Sequence, residues 1–170
     1  DDIKVSPKLD STEIVEYLNN NGAVIESYCQ VEKYIISYDE STLAIKLSDF
    51  NKLRAMLGYN EIELKNNEFT TQWHNAASDE VVNDYGVKNS NLNINGITYN
   101  ISQDSSYKDS IGEGFYSNSD NIIILPDRVC DNLDFIETNF VANIENKMKY
   151  EEANEFRQNY IYEWFRNNNS

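Results

Sequence analysis

The sequence holds a single histidine, His74, in 170 residues. Any site that needs two imidazoles is thereby excluded, the metalloprotease motif His-Glu-x-x-His included. Gly-x-Ser-x-Gly, which sets a nucleophilic serine on a tight strand-to-helix elbow, is missing, as is the phosphate-cradling Gly-x-x-x-x-Gly-Lys-Ser/Thr. Cysteine is nearly as scarce. Cys29 and Cys130 make neither a disulfide-rich framework nor a Cys-x-x-Cys metal or redox pair. In an oxidising compartment the two could join, closing a loop of about 100 residues that theory credits with roughly 4 to 5 kcal/mol. Cations are the third shortage. Fourteen Lys and Arg against 29 Asp and Glu leave a net charge of −15, and no basic stripe runs along the chain. A nucleic-acid partner is therefore excluded, because affinity for a phosphate backbone comes from clustered cations. Long apolar runs are lacking too: none approaches the ~20 residues of a membrane-spanning helix.

What is present describes a folded, water-soluble domain. The apolar share of 40% is ordinary and twelve tyrosines make the aromatic content generous. A chain of this length buries a sizeable core as one domain, since ~150 residues hide roughly two-thirds of their unfolded surface. The first residues, Asp1-Asp2-Ile3-Lys4-Val5, lack the basic and apolar segments of a secretion signal, so residues 1–170 read as a piece of a longer protein. Abundant Asn, Ile, Tyr and Lys point to a low-GC bacterial source. The acidic surface keeps such a domain soluble and by itself names no ligand.

The local patterns alternate between helix and strand. Asp10 and Glu13 have the capping-box spacing, Ile14 and Leu18 share one helical face, and Gly22 supplies a left-handed stop, predicting a helix over 10–20. Residues 23–38 are too long and too rich in β-branched and aromatic side chains for anything but extended strand, bent once. A strand over 43–47 follows, then Ser48 as N-cap of a short helix that turns Phe50, Leu53, Met56 and Leu57 inward before Gly58. Residues 61–74 return to alternation, with Ile62 and Leu64 on one face and Phe69 and Trp73 further on, a strand pattern leading to a polar connection over 75–90. Leu92–Ile101 carries Asn95-Gly96, whose tolerance of two positive φ angles suits a type I′ hairpin pairing Ile94 with Ile97 and Leu92 with Tyr99. A Ser-, Asp- and Gly-rich loop covers 102–120. A buried strand over 121–125, a short helix begun by Pro126-Asp127 with Val129 and Leu133, and a strand over 135–145 come next. Tyr150 to Phe165 has helical spacing over about five turns. The fold class is α+β.

Catalytic constellations are not evident. Cys29 and Cys130 fall in apolar surroundings and read as packing residues, and His74 beside Trp73 reads as a surface or strand-end residue. With 29 acids, neighbouring carboxylates such as Asp39-Glu40, Asp79-Glu80 and Glu151-Glu152 arise on any acidic surface. No calcium-loop spacing occurs, and Gly112-Glu113-Gly114 lacks the strand-and-helix frame of a phosphate site. The expectation is a non-enzyme with no cofactor and no metal. For contact with a partner or ligand the candidates are Tyr107, Phe115 and Tyr116, aromatic residues on the Gly/Ser loop. The aromatic end of the last helix would suit the approach to a membrane surface.

The stretch Ile45-Lys46-Leu47-Ser48-Asp49-Phe50-Asn51-Lys52-Leu53-Arg54-Ala55-Met56-Leu57-Gly58-Tyr59, followed by Glu61-Ile62-Glu63-Leu64-Lys65-Asn66-Asn67-Glu68-Phe69, resembles the FtsX-like permeases of Gram-positive bacteria. The Leu-x-Ile-Asn-Gly-x-x-Tyr-x-Ile hairpin and Asn-Ile-Ile-Ile-Leu-Pro-Asp-x-Val recur there in the same order, so the similarity covers residues ~43 to ~130. The resemblance implies the extracellular domain of an ABC-transporter permease, held on the outer side of the cell membrane between two transmembrane helices. A cytoplasmic ABC ATPase would act on it through the full-length permease by mechanical transmission. It also implies a two-lobed, MacB-like architecture: a porter-like α/β lobe from both chain ends, residues 1–60 plus 121–170, and a β-rich middle lobe, residues 61–120. Peptide or antimicrobial export and resistance, lipid handling, and contact with an extracellular protein are the functions implied. A secreted or surface-anchored binding module without a transporter is the alternative.

Overall fold

The structure, a computed structural model, describes residues 2–5, 11–37, 42–88, 90–102, 107–111 and 121–145. In chain order the elements are β1 (Asp2–Val5), α1 (Ser11–Asn20), β2 (Ile25–Ser37), β3 (Thr42–Lys46), α2 (Leu47–Met56) and β4 (Glu68–Trp73). They continue with α3 (Asp79–Lys88), β5 (Asn91–Ile94), β6 (Ile97–Ile101), β7 (Asn121–Leu125), α4 (Asp127–Cys130) and β8 (Asp134–Ile144). The class is α+β, built on a mixed eight-stranded sheet of order β1-β8-β2-β3-β7-β4-β6-β5. Among the described strands, β3 with β7 and β4 with β6 pair in parallel and the other pairings are antiparallel.

Alternation along the strands divides the core. Ile122 and Ile124 of β7 lie with Cys29, Val31, Ile45 and Val141 beneath Phe50 and Leu53 of α2. Their neighbours Ile123 and Leu125 point the other way, to Tyr34, Ala44, Phe69, Tyr99 and the α4 residues Val129 and Cys130. On that second face, Ile14 and Leu18 of α1 cover Phe140 and Ala142 of β8. Helices thus lie on both sides of the sheet, each buried large side chain contributing about 1.5–3 kcal/mol by leaving water. Because Cys29 and Cys130 belong to opposite faces, the fold keeps them apart, and both are free thiols.

The 13-residue β2 follows the predicted strand, with register shifts at Ile25/Ser27, Lys33/Tyr34 and Ile35/Ser37. The hairpin has the predicted register, Leu92 opposite Tyr99 and Ile94 opposite Ile97, with Asn95 at φ 52° and Gly96 at φ 82°. Two local expectations are corrected. Ser48 does not cap α2: β3 runs into the helix without a loop, so Ser48 is already inside it and its N–H is accepted by Asp127 Oδ1 of α4 at 3.0 Å. Residues 61–65 are not strand, because the Asn51 side chain takes the place of a neighbouring strand. Its amide donates to the Ile62 carbonyl and its oxygen accepts the Ile62 N–H, both at 2.9 Å. Ile62 and Leu64 nevertheless pack on the core beneath α2. The connection over 75–90 contains α3, opened by Ser78, whose Oγ accepts the Val81 N–H at 3.2 Å. The helix expected over 150–165 lies outside the described residues.

Candidate functional site

Of the three contact candidates, Phe115 and Tyr116 lie outside the described residues. Tyr107 is half-buried and belongs to a short strap, residues 107–111, laid along β4 on the side away from β7, beyond the pairing of β4 with β6. Its N–H donates to the Thr71 carbonyl at 2.9 Å, and its carbonyl accepts the Trp73 N–H at 2.7 Å. The strap is fixed residue by residue. Lys108 donates to the Ala77 carbonyl and to Asp79 Oδ1 at the start of α3. The Asp109 carbonyl accepts Gln72 Nε2 at 2.8 Å, the Ser110 carbonyl accepts the Tyr59 hydroxyl at 3.2 Å, and Ile111 is 2% exposed in the core beneath α2.

The centre of this corner is Arg54, only 5% exposed. Its guanidinium carbon lies 4.8 Å from the Tyr107 ring centroid, 5.3 Å from Tyr59 and 5.7 Å from Phe50. Nε donates to the Asn60 carbonyl at 2.6 Å, and one terminal nitrogen pairs with Asp109 Oδ2 at 3.4 Å. A flat cation among ring faces, with a carbonyl and a carboxylate in its plane, is satisfied by the fold itself. Tyr107 so placed packs its ring against Arg54 and Phe50. Arg54 was not among the sequence candidates, yet a signal was there: it stands four residues after Phe50, on the helix face that carries Leu53 and Leu57.

A second polar group lies on the opposite face. Lys46 Nζ pairs with Asp131 Oδ1 at 3.1 Å and sits 5.7 Å from the Tyr34 ring centroid, while the Tyr34 hydroxyl donates to Glu32 Oε2. The Asp131 contact raises the Lys46 pKa, and burial, reinforced by the Glu32 hydrogen bond, raises that of the Tyr34 phenol. Both groups stay protonated across the physiological range. Burial pushes the Cys29 thiol up to about 11 and the Cys130 thiol up to about 12, so both favour the protonated form at neutral pH. Burial also raises Asp49, which accepts the Glu32 N–H at 3.4 Å. Lys33, fully buried, pairs with Glu137 Oε1 at 3.1 Å across β2 and β8. Here too the sequence carried a sign, a lysine two residues after the inward-facing Val31.

His74 takes the expected strand-end position: its Nδ1 accepts the Ala76 N–H at 3.1 Å in the turn after β4. Among the described residues no group of three or more His, Cys, Asp and Glu is placed to hold a metal ion. No described helix is long and apolar enough to cross a membrane. No family model, curated protein or solved structure matches the chain.

Proposed function

We propose that this chain is the extracellular domain of an FtsX-like, MacB-like ABC-transporter permease, transmitting movement without covalent chemistry of its own. The observation that carries the reading is the pairing of β1 with β8. Asp2 stands opposite Val141 and Val5 opposite Thr138 in an antiparallel register. The start of β1 therefore lies beside Val141, roughly 5 Å away, and β8 runs on past it in the direction from which the chain enters β1. A domain inserted between two membrane helices needs such an exit, because both connections must return to one surface.

The strand order gives further support. Segments 1–60 and 121–170 supply β1, β8, β2, β3 and β7, which are contiguous, and segment 61–120 supplies β4, β6 and β5, which follow on the far side. A porter-like part made from both chain ends and a β-rich middle part would divide the sheet at the pairing of β7 with β4. Motion of the two membrane helices would load β1 and β8 directly. β8 would then pass the load to β2 through a pairing that runs from Ile25–Ile144 to Ile35–Asp134.

Export of or resistance to antimicrobial peptides, and lipid or extracellular-protein handling, are the activities this reading accommodates, with ATP hydrolysed by a separate cytoplasmic subunit. The test is the full reading frame. Apolar stretches of ~20 residues on both sides of 1–170, and co-purification of the whole protein with an ABC ATPase, are the expected results. A frame with a secretion signal or anchor but no multi-span permease would overturn the reading in favour of a surface binding module.

A further inference from the structure

The β5–β6 hairpin closes on Asn95-Gly96, and the chemistry of that pair is not exhausted by its turn geometry. Asn95 and Gly96 are both exposed and both held at positive φ, 52° and 82°. Behind them, Asn93 Oδ1 accepts the Gly96 N–H at 3.1 Å. An asparagine followed by glycine is open to attack by its own backbone, since glycine has no Cβ to hinder the approach of its nitrogen.

We propose that Asn95 is a deamidation site of this protein, protected in the folded hairpin by the Asn93 hydrogen bond. In the reaction the Gly96 amide nitrogen loses its proton to base and attacks Asn95 Cγ. The new C–N bond closes a five-membered imide, and the side-chain nitrogen leaves as ammonia with the proton returned to it. Water then opens the imide at either carbonyl, giving aspartate or its isoaspartyl isomer. No electrons change hands, and water is the only co-reactant.

The turn opposes the first step twice. The left-handed backbone at Asn95 must swing out of the type I′ arrangement before the ring can close, and the nitrogen that attacks must surrender the proton it shares with Asn93. Opening of the hairpin removes both restraints. The product matters to the fold, because an isoaspartyl link adds a backbone carbon to a two-residue loop. That length change breaks the pairing of Leu92 with Tyr99 and Ile94 with Ile97. Ile94 and Tyr99, 6% and 3% exposed, would leave the core they share with Phe69 and Ile123. The site thus couples chemical ageing of an exposed turn to loss of the sheet's far edge.

The experiment is peptide mapping by mass spectrometry, separating aspartyl and isoaspartyl products, on the chain incubated in mildly alkaline buffer. Four samples are compared: the folded protein, the same protein in denaturing urea, Asn93→Ala and Asn93→Asp. Conversion at Asn95 should be slowest in the folded protein and fastest in urea. In Asn93→Ala it should run roughly three- to tenfold faster than in the folded protein, the factor that one hydrogen bond of ordinary net strength gives. Asn93→Asp keeps the acceptor oxygen and should retain protection, separating loss of the hydrogen bond from loss of the hairpin. Equal rates in the folded protein and in urea would overturn the proposal. So would an Asn93→Ala rate no faster than that of the folded protein, or conversion confined to other asparagines in all four samples.

Discussion

Replacing Arg54 by methionine keeps most of the side chain's length and apolar contact while removing its charge and every donor. Three losses follow from the structure. The charged hydrogen bond from Nε to the Asn60 carbonyl contributes about 1.5–3 kcal/mol. The stacking on Tyr107, Tyr59 and Phe50 adds about 0.5–2 kcal/mol, the upper figure applying where the cation is desolvated, as it is here. The pairing with Asp109 adds less than about 1 kcal/mol, because that carboxylate is 49% exposed and 3.4 Å away. These contributions share one group and do not add in full, so the expected loss for Arg54→Met is about 3 kcal/mol. Arg54→Lys retains the charge but neither the planar stack nor the Nε geometry and should lose about 1–2 kcal/mol. Urea denaturation followed by tryptophan fluorescence reads both as a lowered midpoint at constant m. A double-mutant cycle with Tyr107→Leu should give a coupling of roughly 1 kcal/mol. A loss below about 0.5 kcal/mol for Arg54→Met would refute the reasoning, showing that the strap is held without its cation.

Three further outcomes are expected. Thr70 Oγ1 and Thr138 Oγ1 are buried with no hydrogen-bond partner among the described residues, so Thr70→Val and Thr138→Val should each raise stability by about 1 kcal/mol, measured by thermal denaturation. Asp49 has a raised folded-state pKa, so the folded protein holds that proton more tightly than the unfolded chain and the ionised carboxylate costs stability at neutral pH. Asp49→Asn should accordingly be more stable than the natural protein at pH 7, with the difference vanishing as pH falls below the ordinary aspartate range; a difference independent of pH would contradict it. Cys29 and Cys130, buried and with raised pKa values, should resist a thiol reagent at mildly alkaline pH and react together on unfolding in urea.

The sequence exposed the local elements more clearly than their assembly. The hairpin register was legible because Asn95-Gly96 admits one turn type and the apolar residues on either side then have one arrangement. β2, α1 and the strand–helix unit of β3 and α2 were legible from periodicity and the glycine stops at 22 and 58. What periodicity does not carry is partnership across the chain. The cap of α2 comes from Asp127, about 80 residues away, and the edge of segment 61–65 is satisfied by an asparagine side chain from α2. Residues 61–65 keep the alternation of a strand because Ile62 and Leu64 face the core, yet burial pattern and backbone pairing are separate demands. At the candidate site, composition picked out Tyr107 as an aromatic on a polar loop. Its contacts with Arg54 and β4 depend on tertiary placement. Arg54 and Lys33 were passed over because charged residues are read as solvated, although each occupies an inward position in its element's period.

The central claim is that this domain stands outside the cell, tied to the membrane through adjacent strands β1 and β8. Its most direct test is proteolysis of intact cells producing the full-length protein, followed by membrane fractionation. The account predicts that an added protease cleaves within residues 1–170 without cell lysis, and that before cleavage the domain resists extraction from membranes at alkaline pH. A domain protected until lysis, or one recovered in the soluble fraction without any membrane-bound portion, would contradict it.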